Sequence, residues 1–157
     1  MADVVFDFEP VALQQVDIWN ESGRDALSRA LGFPAPGQMG AIAEQNGIRA
    51  ARLSLRRFWI IGNPPLLTLA PEDGAVLPLD QGRVSFKLPG ERARRVLPQV
   101  MAIDWDDPRA APSRIVLSAI HRVPAAVLPL ADGQCELIVP RSFAESIGGL
   151  IAELQAA

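Results

Sequence analysis

Residues 82–100 read GRVSFKLPGERARRVLPQV, and this stretch predicts a strand, a tight turn and a helix in immediate succession. Apolar and polar residues alternate from Val84 to Leu88, which is the pattern of a strand with one apolar face. Pro89-Gly90 ends that strand, and from Glu91 the apolar residues fall three and four apart, as in an amphipathic helix. Pro98 removes a backbone donor and keeps the helix short. The apolar positions of this unit are Val84, Phe86, Leu88, Ala93, Val96, Leu97 and Val100.

The length and composition indicate one globular domain. The chain has 157 residues, of which 49% are hydrophobic and 21% charged, close to the averages for soluble domains. Such a chain is long enough to bury a core and too short for two ordinary domains. We therefore expect a single domain over residues 1–157, with residues 1–11 as an extended N-terminal arm.

The sequence gives no indication of membrane insertion or export. No window approaches the run of about eighteen apolar residues that a membrane-spanning helix needs. The N-terminus, MADVVFDFEP, carries acidic residues and no basic region, so it does not resemble a secretory signal or a transit peptide. We expect a soluble protein of the cytoplasm that has no membrane partner.

The charge and the cysteine content exclude further classes of protein. The net charge is −3 and the isoelectric point is near 5.1. Neutralising several phosphates needs a basic face, so nucleic acid is not expected as a partner. Cys135 is the one cysteine of the sequence, which excludes an intrachain disulfide and a zinc site made of clustered Cys and His.

Two periodicities predict the other elements of the chain. Apolar residues that alternate or form short runs predict strands at 12–19, 41–44, 48–55, 58–61, 114–119, 123–130 and 135–139. A shift in apolar phase leaves room for a bulge in the first strand. Asn46-Gly47, between two extended runs, is typical of a type I′ hairpin. Strands outnumber helices, and each helix follows a strand.

The first helix, predicted over 22–31, has recognisable ends. Ser22 with Asp25 is spaced as a capping pair, and Gly32 suits the C-terminal stop. The residues expected on its inner face are Ala26, Leu27, Ala30 and Leu31.

The last helix is the clearest element. Ser142 with Glu145 has the spacing of a capping box. The apolar stripe expected to face the core is Phe143, Ile147, Leu150, Ile151 and Leu154. Gly148-Gly149 costs roughly 1 kcal/mol per glycine relative to alanine. We therefore expect the helix to approach the sheet closely at this pair.

The chain offers few groups for nucleophilic catalysis, which needs a nucleophile, a base and usually a carboxylate in convergence. His121, the one histidine, lies at a predicted turn and is interpreted as solvated or turn-stabilising. Cys135 alternates into an apolar strand face and is interpreted as a small buried hydrophobe. Neither GxGxxG nor GxxxxGK[ST] occurs in the sequence. We therefore predict no catalytic, cofactor-binding or metal-binding residue in this chain.

Two charged clusters remain: an acidic cluster of Asp104, Asp106 and Asp107, and an arginine cluster of Arg92, Arg94 and Arg95. The acidic cluster lacks the glycine and the distal glutamate of a calcium loop, so a turn with acidic capping is predicted. The arginine cluster is interpreted as a solvated helix face, with a contact to another protein as the alternative.

Large apolar residues in or near predicted loops suggest a partner surface. They are Phe6, Phe8, Trp19, Phe33, Met39 and Trp105. Aromatic residues and methionine are enriched in the cores of interfaces. Burial in the protein's own core is the favoured interpretation for any one of them, and it is the set together that suggests a partner surface. By its own residues, the chain is interpreted as a binding or assembly domain.

Four passages together resemble the gamma subunit of heterotetrameric sarcosine oxidase, in order and at compatible spacings. They are VDIWNESGRDALSRALGFPAP, RRFWIIG, LDQGRVSFKLPGERARRVLPQVMAIDW and CELIVPRSFAESIGGLIAEL. The most specific matches are Asp80, Gly82, Arg83, Leu88, Gly90, Ala93, Arg94 and Leu97, and the VPRSFA passage at 139–144.

This resemblance implies an α+β fold, with mostly antiparallel sheet and helices packed on it, similar to the folate-binding domain of the glycine-cleavage T-protein and of YgfZ-like proteins. It implies a non-catalytic accessory role beside alpha, beta and delta subunits. In that family, FAD, FMN, NAD and the tetrahydrofolate site belong to the alpha and beta subunits, and zinc to the delta subunit. The complex oxidatively demethylates sarcosine to glycine and hydrogen peroxide and passes the one-carbon unit to tetrahydrofolate.

The sequence departs from the family pattern in two places. The family has a helix after its tryptophan-containing strand, whereas Asn63-Pro64-Pro65 and the residues up to Ala70 leave room for at most one turn. Met101 stands where many relatives have cysteine. A subunit of a related N-methyl amino acid dehydrogenase is therefore an alternative. Two others are a stand-alone folate-binding, one-carbon protein of T-protein type and a homo-oligomeric structural domain.

Overall fold

The computed structural model describes residues 7–157, which form two compact units. Unit 2 is Val11–Asp80, and unit 1 combines residues 7–10 with Gln81–Ala157. The single-domain organisation expected from the length stays a prediction. Of the expected N-terminal arm, residues 1–6 lie outside the described part, and Phe8–Pro10 forms a strand.

Unit 2 is a five-stranded antiparallel sheet with one helix. The strands are β2 (Leu13–Ile18), β3 (Ile42–Gln45), β4 (Ile48–Arg52), β5 (Arg57–Ile61) and β6 (Gly74–Pro78), and the helix is α1 (Ser22–Leu31). The order across the sheet is β3-β4-β5-β2-β6. Asn46 and Gly47 join β3 to β4 with φ of 53° and 76°, which confirms the predicted type I′ hairpin.

The apolar phase shift in β2 has a different cause from the one expected. The pairing of β2 with β5 runs without a break from Leu13 opposite Ile61 to Asp17 opposite Arg57, so the paired residues contain no bulge. Gln14 takes the inward position instead and is buried. Its side-chain amide donates to the Pro65 carbonyl at 3.1 Å, and its oxygen accepts from the Leu67 amide at 2.9 Å.

Helix α1 has the predicted bounds. Its N-terminal hydrogen bonds differ from the prediction, and its buried face is narrower than predicted. Ser22 is the first helical residue, and Glu21 at the N-cap position makes no capping hydrogen bond. The Asn20 Oδ1 atom instead accepts from the Gly23 amide at 3.3 Å and from the Ser22 hydroxyl at 2.5 Å. Gly32 ends the helix with φ of 82°, as predicted. Only part of the expected inner face is buried: Ala26 and Leu27 are, while Ala30 is exposed and Leu31 is half-buried.

The segment after β5 contains neither helix nor strand from Asn63 to Ala70. This confirms the departure from the family pattern that the sequence indicated. The prolines at 64 and 65 explain it, since each lacks a backbone donor and Pro64 disfavours helical geometry at Asn63.

Unit 1 is a second five-stranded antiparallel sheet with two helices. The strands are β1 (Phe8–Pro10), β7 (Arg83–Leu88), β8 (Val116–Ile120), β9 (Val123–Pro129) and β10 (Cys135–Pro140), and the helices are α2 (Gly90–Val100) and α3 (Ala144–Ala156). The order across the sheet is β1-β7-β10-β9-β8. The predicted strand, turn and helix of 82–100 are therefore confirmed, and Pro98 lies in the last turn of α2.

One apolar cluster forms the core of unit 1. Fully buried side chains of the sheet, such as Phe86, Leu137 and Val139, pack with Val96 and Leu97 of α2 and with Ile147 and Ile151 of α3. The alternation in β7 and the three-and-four spacing in the helices place these residues on facing surfaces. The strand and helix patterns read from the sequence therefore account for this core.

The start of α3 differs from the predicted capping box. Arg141–Phe143 forms a turn of 3₁₀ helix before Ala144, and no side chain caps the helix. Ser142 lies inside that turn, where its backbone is already helical and cannot present the extended geometry of an N-cap. Phe143 is consequently not part of the buried stripe, and 43% of it is exposed.

The two glycines of α3 have different surroundings. Gly148 is buried in the core, whereas a side chain at Gly149 would meet open space. Close approach to the sheet therefore does not account for Gly149. We expect Gly149→Ala to raise the free energy of unfolding by roughly 1 kcal/mol, because it removes backbone entropy from the unfolded chain. Urea unfolding followed by circular dichroism measures this change. An unchanged or lower urea midpoint would contradict the open space beside Gly149.

Candidate partner surface

His121 and Cys135, the two candidate catalytic side chains, lie in structural positions. His121 occupies the exposed two-residue loop between β8 and β9, with φ of 47°. Cys135 begins β10 and is 1% exposed, and burial raises the pKa of its thiol to about 12. This agrees with the interpretation of Cys135 as a buried hydrophobe.

The burial of the Cys135 thiol can be tested by chemical modification. We expect native protein to react with Ellman's reagent at mildly alkaline pH at least about 100-fold more slowly than unfolded protein. In the native protein the Cys135 thiol stays protonated and the reagent cannot reach its sulfur. Guanidinium chloride should release one reactive thiol per chain. Fast and complete labelling of the native protein would contradict the burial of Cys135.

The acidic cluster forms hydrogen bonds within its own loop. The Asp104 carboxylate accepts from the Asp106 amide at 3.0 Å, and the Asp107 carboxylate accepts from the Arg109 amide at 2.8 Å. Hydrogen bonds from the Arg109 side chain lower the pKa of Asp107 to about 2. The cluster is therefore a turn with acidic capping, as predicted. Among residues 7–157, no group of three His, Cys, Asp or Glu side chains could hold a metal ion.

The arginine cluster lies on the exposed face of α2. Arg94 lies over the ring of Trp105 at 5.8 Å, and an Arg95 nitrogen donates to the Gln155 carbonyl at 3.2 Å. Beside Arg94 is a cavity of about 230 Å³ between α2, the 105–112 loop and the turn before β10. Arg94 is the only ionisable side chain among the described residues that line it. Its volume is below the several hundred Å³ of ordinary ligand pockets.

The apolar residues predicted for a partner surface divide into three groups. Phe33 is buried in the core of unit 2, which agrees with the core interpretation and removes it from the partner surface. Trp105 is half-buried against the core of unit 1, and Phe8 packs on Phe86 with ring centroids 5.6 Å apart. Trp19 and Met39 are 47% and 59% exposed, as a partner surface requires. Phe6 lies outside the described residues.

The strand register places the end of β2, the start of β3 and the turn from β4 to β5 at the same end of the sheet in unit 2. Trp19, Met39 and Leu55 belong to the segments at this end, and Leu55 is 63% exposed. We name these three residues the sheet-end patch. Leu55 was missed in the sequence because it was the last alternating residue of the strand predicted over 48–55. The structure places it instead in the turn between β4 and β5, where it has no inward position to occupy.

A buried arginine holds the loops that carry this patch. Arg52 is 2% exposed, and its guanidinium donates to the carbonyls of Gly37 at 2.8 Å and of Leu55 at 2.6 Å. It also pairs with the Glu21 carboxylate at 3.0 Å and lies over the Phe58 ring at 5.1 Å. Hydrogen bonding to Arg52 lowers the pKa of Glu21. One side chain therefore connects the loop before β3, the turn after β4 and the start of α1.

The orientation of Trp19 is also restrained. Its indole nitrogen donates to the Pro71 carbonyl at 2.8 Å, and its backbone amide donates to the Asp73 carbonyl at 3.1 Å. An exposed tryptophan held in one orientation loses little entropy when a partner covers it. The sheet-end patch therefore has the residue types and the rigidity of an interface centre.

The comparisons with known proteins identify the fold. No protein-family model matches the sequence, and no curated protein does. The structure is similar to a chain of the heterotetrameric sarcosine oxidase from Corynebacterium sp. U-96 in complex with pyrrole 2-carboxylate, with a TM-score of 0.83 and 18% identity. The match covers 99% of this chain and 86% of that chain. The expected α+β fold with antiparallel sheets and packed helices is thereby confirmed.

The described helices are short in relation to a lipid bilayer. Within residues 7–157, none combines the length and the apolar composition required to cross a membrane.

Proposed function

We propose that this chain is a gamma-type, non-catalytic accessory subunit of a sarcosine oxidase-like flavoenzyme complex. The observation that carries the proposal is the end-to-end similarity of fold to a chain of heterotetrameric sarcosine oxidase. The complex would demethylate sarcosine oxidatively in the cytoplasm and transfer the one-carbon unit to tetrahydrofolate. FAD, FMN, NAD, tetrahydrofolate and zinc would be held by alpha, beta and delta partner subunits.

The extent of the match supports an accessory role. Because it covers 99% of this chain and 86% of the other, the matched chain consists almost entirely of the same fold and leaves little room for an added domain. Packing against larger subunits is the role that such a chain can perform.

The test of the proposal is the composition of the native complex. The chain is tagged in its native host and purified gently, and its partners are identified by mass spectrometry together with the flavin absorption of the eluate. We expect a yellow complex that contains a large and a medium subunit. A colourless, homogeneous chain would contradict the proposal, and tight binding of added tetrahydrofolate by that chain would favour the T-protein alternative.

The sheet-end patch predicts which substitutions weaken assembly. We expect Trp19→Ala with Met39→Ala to lower the affinity for the partner subunits at least about 30-fold, because truncating central interface anchors costs about 2 kcal/mol or more. Leu66→Ala is the matched control, since Leu66 is 65% exposed in the same unit but outside the patch. Reconstitution titrations measure both, and equal affinities for the two variants would place the interface elsewhere.

A further inference from the structure

The edge strand β8 differs from the other three edges of the two described sheets. An edge strand offers unpaired N–H and C=O groups to other chains, and proteins protect such edges with charges, prolines or short strands. Among the other edges, β1 carries Glu9 and Pro10, β3 carries Glu44, and β6 ends at Pro78. The sequence of β8 is VLSAI, which has neither a charge nor a proline.

The hairpin between β8 and β9 determines which backbone groups of β8 point outward. Its two loop residues have φ of 47° and 72°, as in a type I′ turn. The flanking residues, Ile120 and Val123, are therefore a hydrogen-bonded pair, and bonded and non-bonded pairs alternate from there. Leu117 and Ala119 occupy non-bonded positions. Their N–H and C=O groups consequently point away from β9, toward the open edge.

The side chains at these two positions are also suited to pairing. Leu117 is 51% exposed and Ala119 is exposed, and both lie on the same face of β8. An incoming strand would therefore find two outward backbone pairs and an adjacent apolar side chain. These are the features that main-chain strand addition uses for affinity and specificity.

The charges that flank β8 determine the kind of strand that fits. Arg114 precedes β8, and Arg122 follows it. In an antiparallel pair of two β8 strands centred on Ser118, Arg114 of one copy would lie opposite Arg122 of the other. Like charges in that arrangement are destabilising. A strand with acidic residues at both ends and apolar residues between them has the complementary charge.

We infer that β8 binds an extended, acid-flanked apolar segment of a partner subunit, which joins the sheet of unit 1 as its sixth strand. The inference rests on the proposed function, since the segment comes from another chain of the complex. This contact differs from ordinary side-chain packing because the backbone groups of Leu117 and Ala119, rather than side chains alone, make it.

Amide hydrogen exchange in the free chain and in the purified native complex tests the inference. We expect the amides of Leu117 and Ala119 to exchange rapidly in the free chain and at least roughly 100-fold more slowly in the complex. If a flavin-containing complex is recovered but these amides exchange equally fast in both states, the inference is wrong while the proposed function stands. If no complex is recovered, both are wrong. Slow exchange in a dimer of the isolated chain would show self-pairing and overturn the inference.

A pair of substitutions at one position isolates the backbone contact. Ala119→Pro removes an outward N–H that β9 does not use, and edge strands tolerate proline at such positions. Ala119→Val keeps the N–H and is the matched control. We expect Ala119→Pro to lower the affinity for the partner subunits at least about 10-fold, and Ala119→Val to leave it within about 3-fold, with unchanged circular dichroism for both. Equal affinities of the two folded variants would overturn the inference.

Discussion

Arg52→Met is expected to destabilise the protein by about 3 kcal/mol, because the change removes several charge-assisted hydrogen bonds, each worth about 1.5–3 kcal/mol, from a buried site. The methionine would retain part of the contact with the Phe58 ring but could not bind Glu21, Gly37 or Leu55. Urea unfolding followed by tryptophan fluorescence measures the loss, since Trp59 is buried in the same unit.

Arg56→Ala is the control for this substitution. Arg56 is exposed and lies in the turn beside Leu55, so its removal should change stability by no more than about 0.5 kcal/mol. If the two substitutions changed the stability equally, the buried Arg52 guanidinium would not be what stabilises these loops. The Arg52 variant should also weaken partner binding beyond its effect on stability, because Leu55 would lose its anchor.

Gly90→Ala is expected to destabilise unit 1 by about 2–3 kcal/mol, as overpacking at a rigid contact does. Gly90 is the first residue of α2, and a Cβ atom there would overlap the carbonyl oxygen of Gly133 in the turn before β10. Backbone atoms form both sides of this contact, so no side-chain rotation can relieve it. Either the helix start or the turn must move.

Gly149→Ala provides the comparison, because the same chemical change meets open space in α3. The two variants should therefore shift the urea midpoint in opposite directions, down for Gly90 and up for Gly149. Midpoints that move together would mean that helix propensity alone, rather than the close approach at Gly90, determines the effect.

Periodicity predicted the elements well where one face of each is buried. The strand and helix of 82–100 were predicted from alternation and from three-and-four spacing, and these residues pack as expected into the core of unit 1. Capping was predicted less well. Ser22 and Ser142 have the right spacing to an acidic residue, but Ser22 already lies inside α1, whose Gly23 amide donates to Asn20, and a 3₁₀ turn precedes α3. Both features depend on the path of the preceding chain.

The pairing of distant segments could not be read from local patterns. β1 pairs with β7 although about seventy residues separate them, and this pairing assigns the N-terminal strand to unit 1. The role of Arg52 was missed for a related reason, since its partners come from three other segments. The only local indication of this role was that Arg52, two positions after Ala50 in β4, falls on the inward face of the strand.

The exposure of the residues proposed for the partner surface could not be read from local patterns either. Residue type and predicted loop position selected Trp19 and Met39, which are exposed, but also Phe33, which the loop after α1 turns into the core. Exposure depends on the direction in which a loop returns to the sheet, and hydrogen bonds to Arg52 and Pro71 set that direction around the sheet-end patch.

The central claim is that this chain acts within a sarcosine oxidase-like complex, and peroxide formation by the complex tests it most directly. The tagged complex and the isolated chain are each supplied with sarcosine and, separately, with N-methylglutamate, and both hydrogen peroxide and the reduction of the flavin are recorded. We predict sarcosine-dependent peroxide from the complex and none from the isolated chain. Oxidation of N-methylglutamate alone would assign the chain to a related enzyme, and a purified preparation without flavin or activity on either substrate would contradict the account.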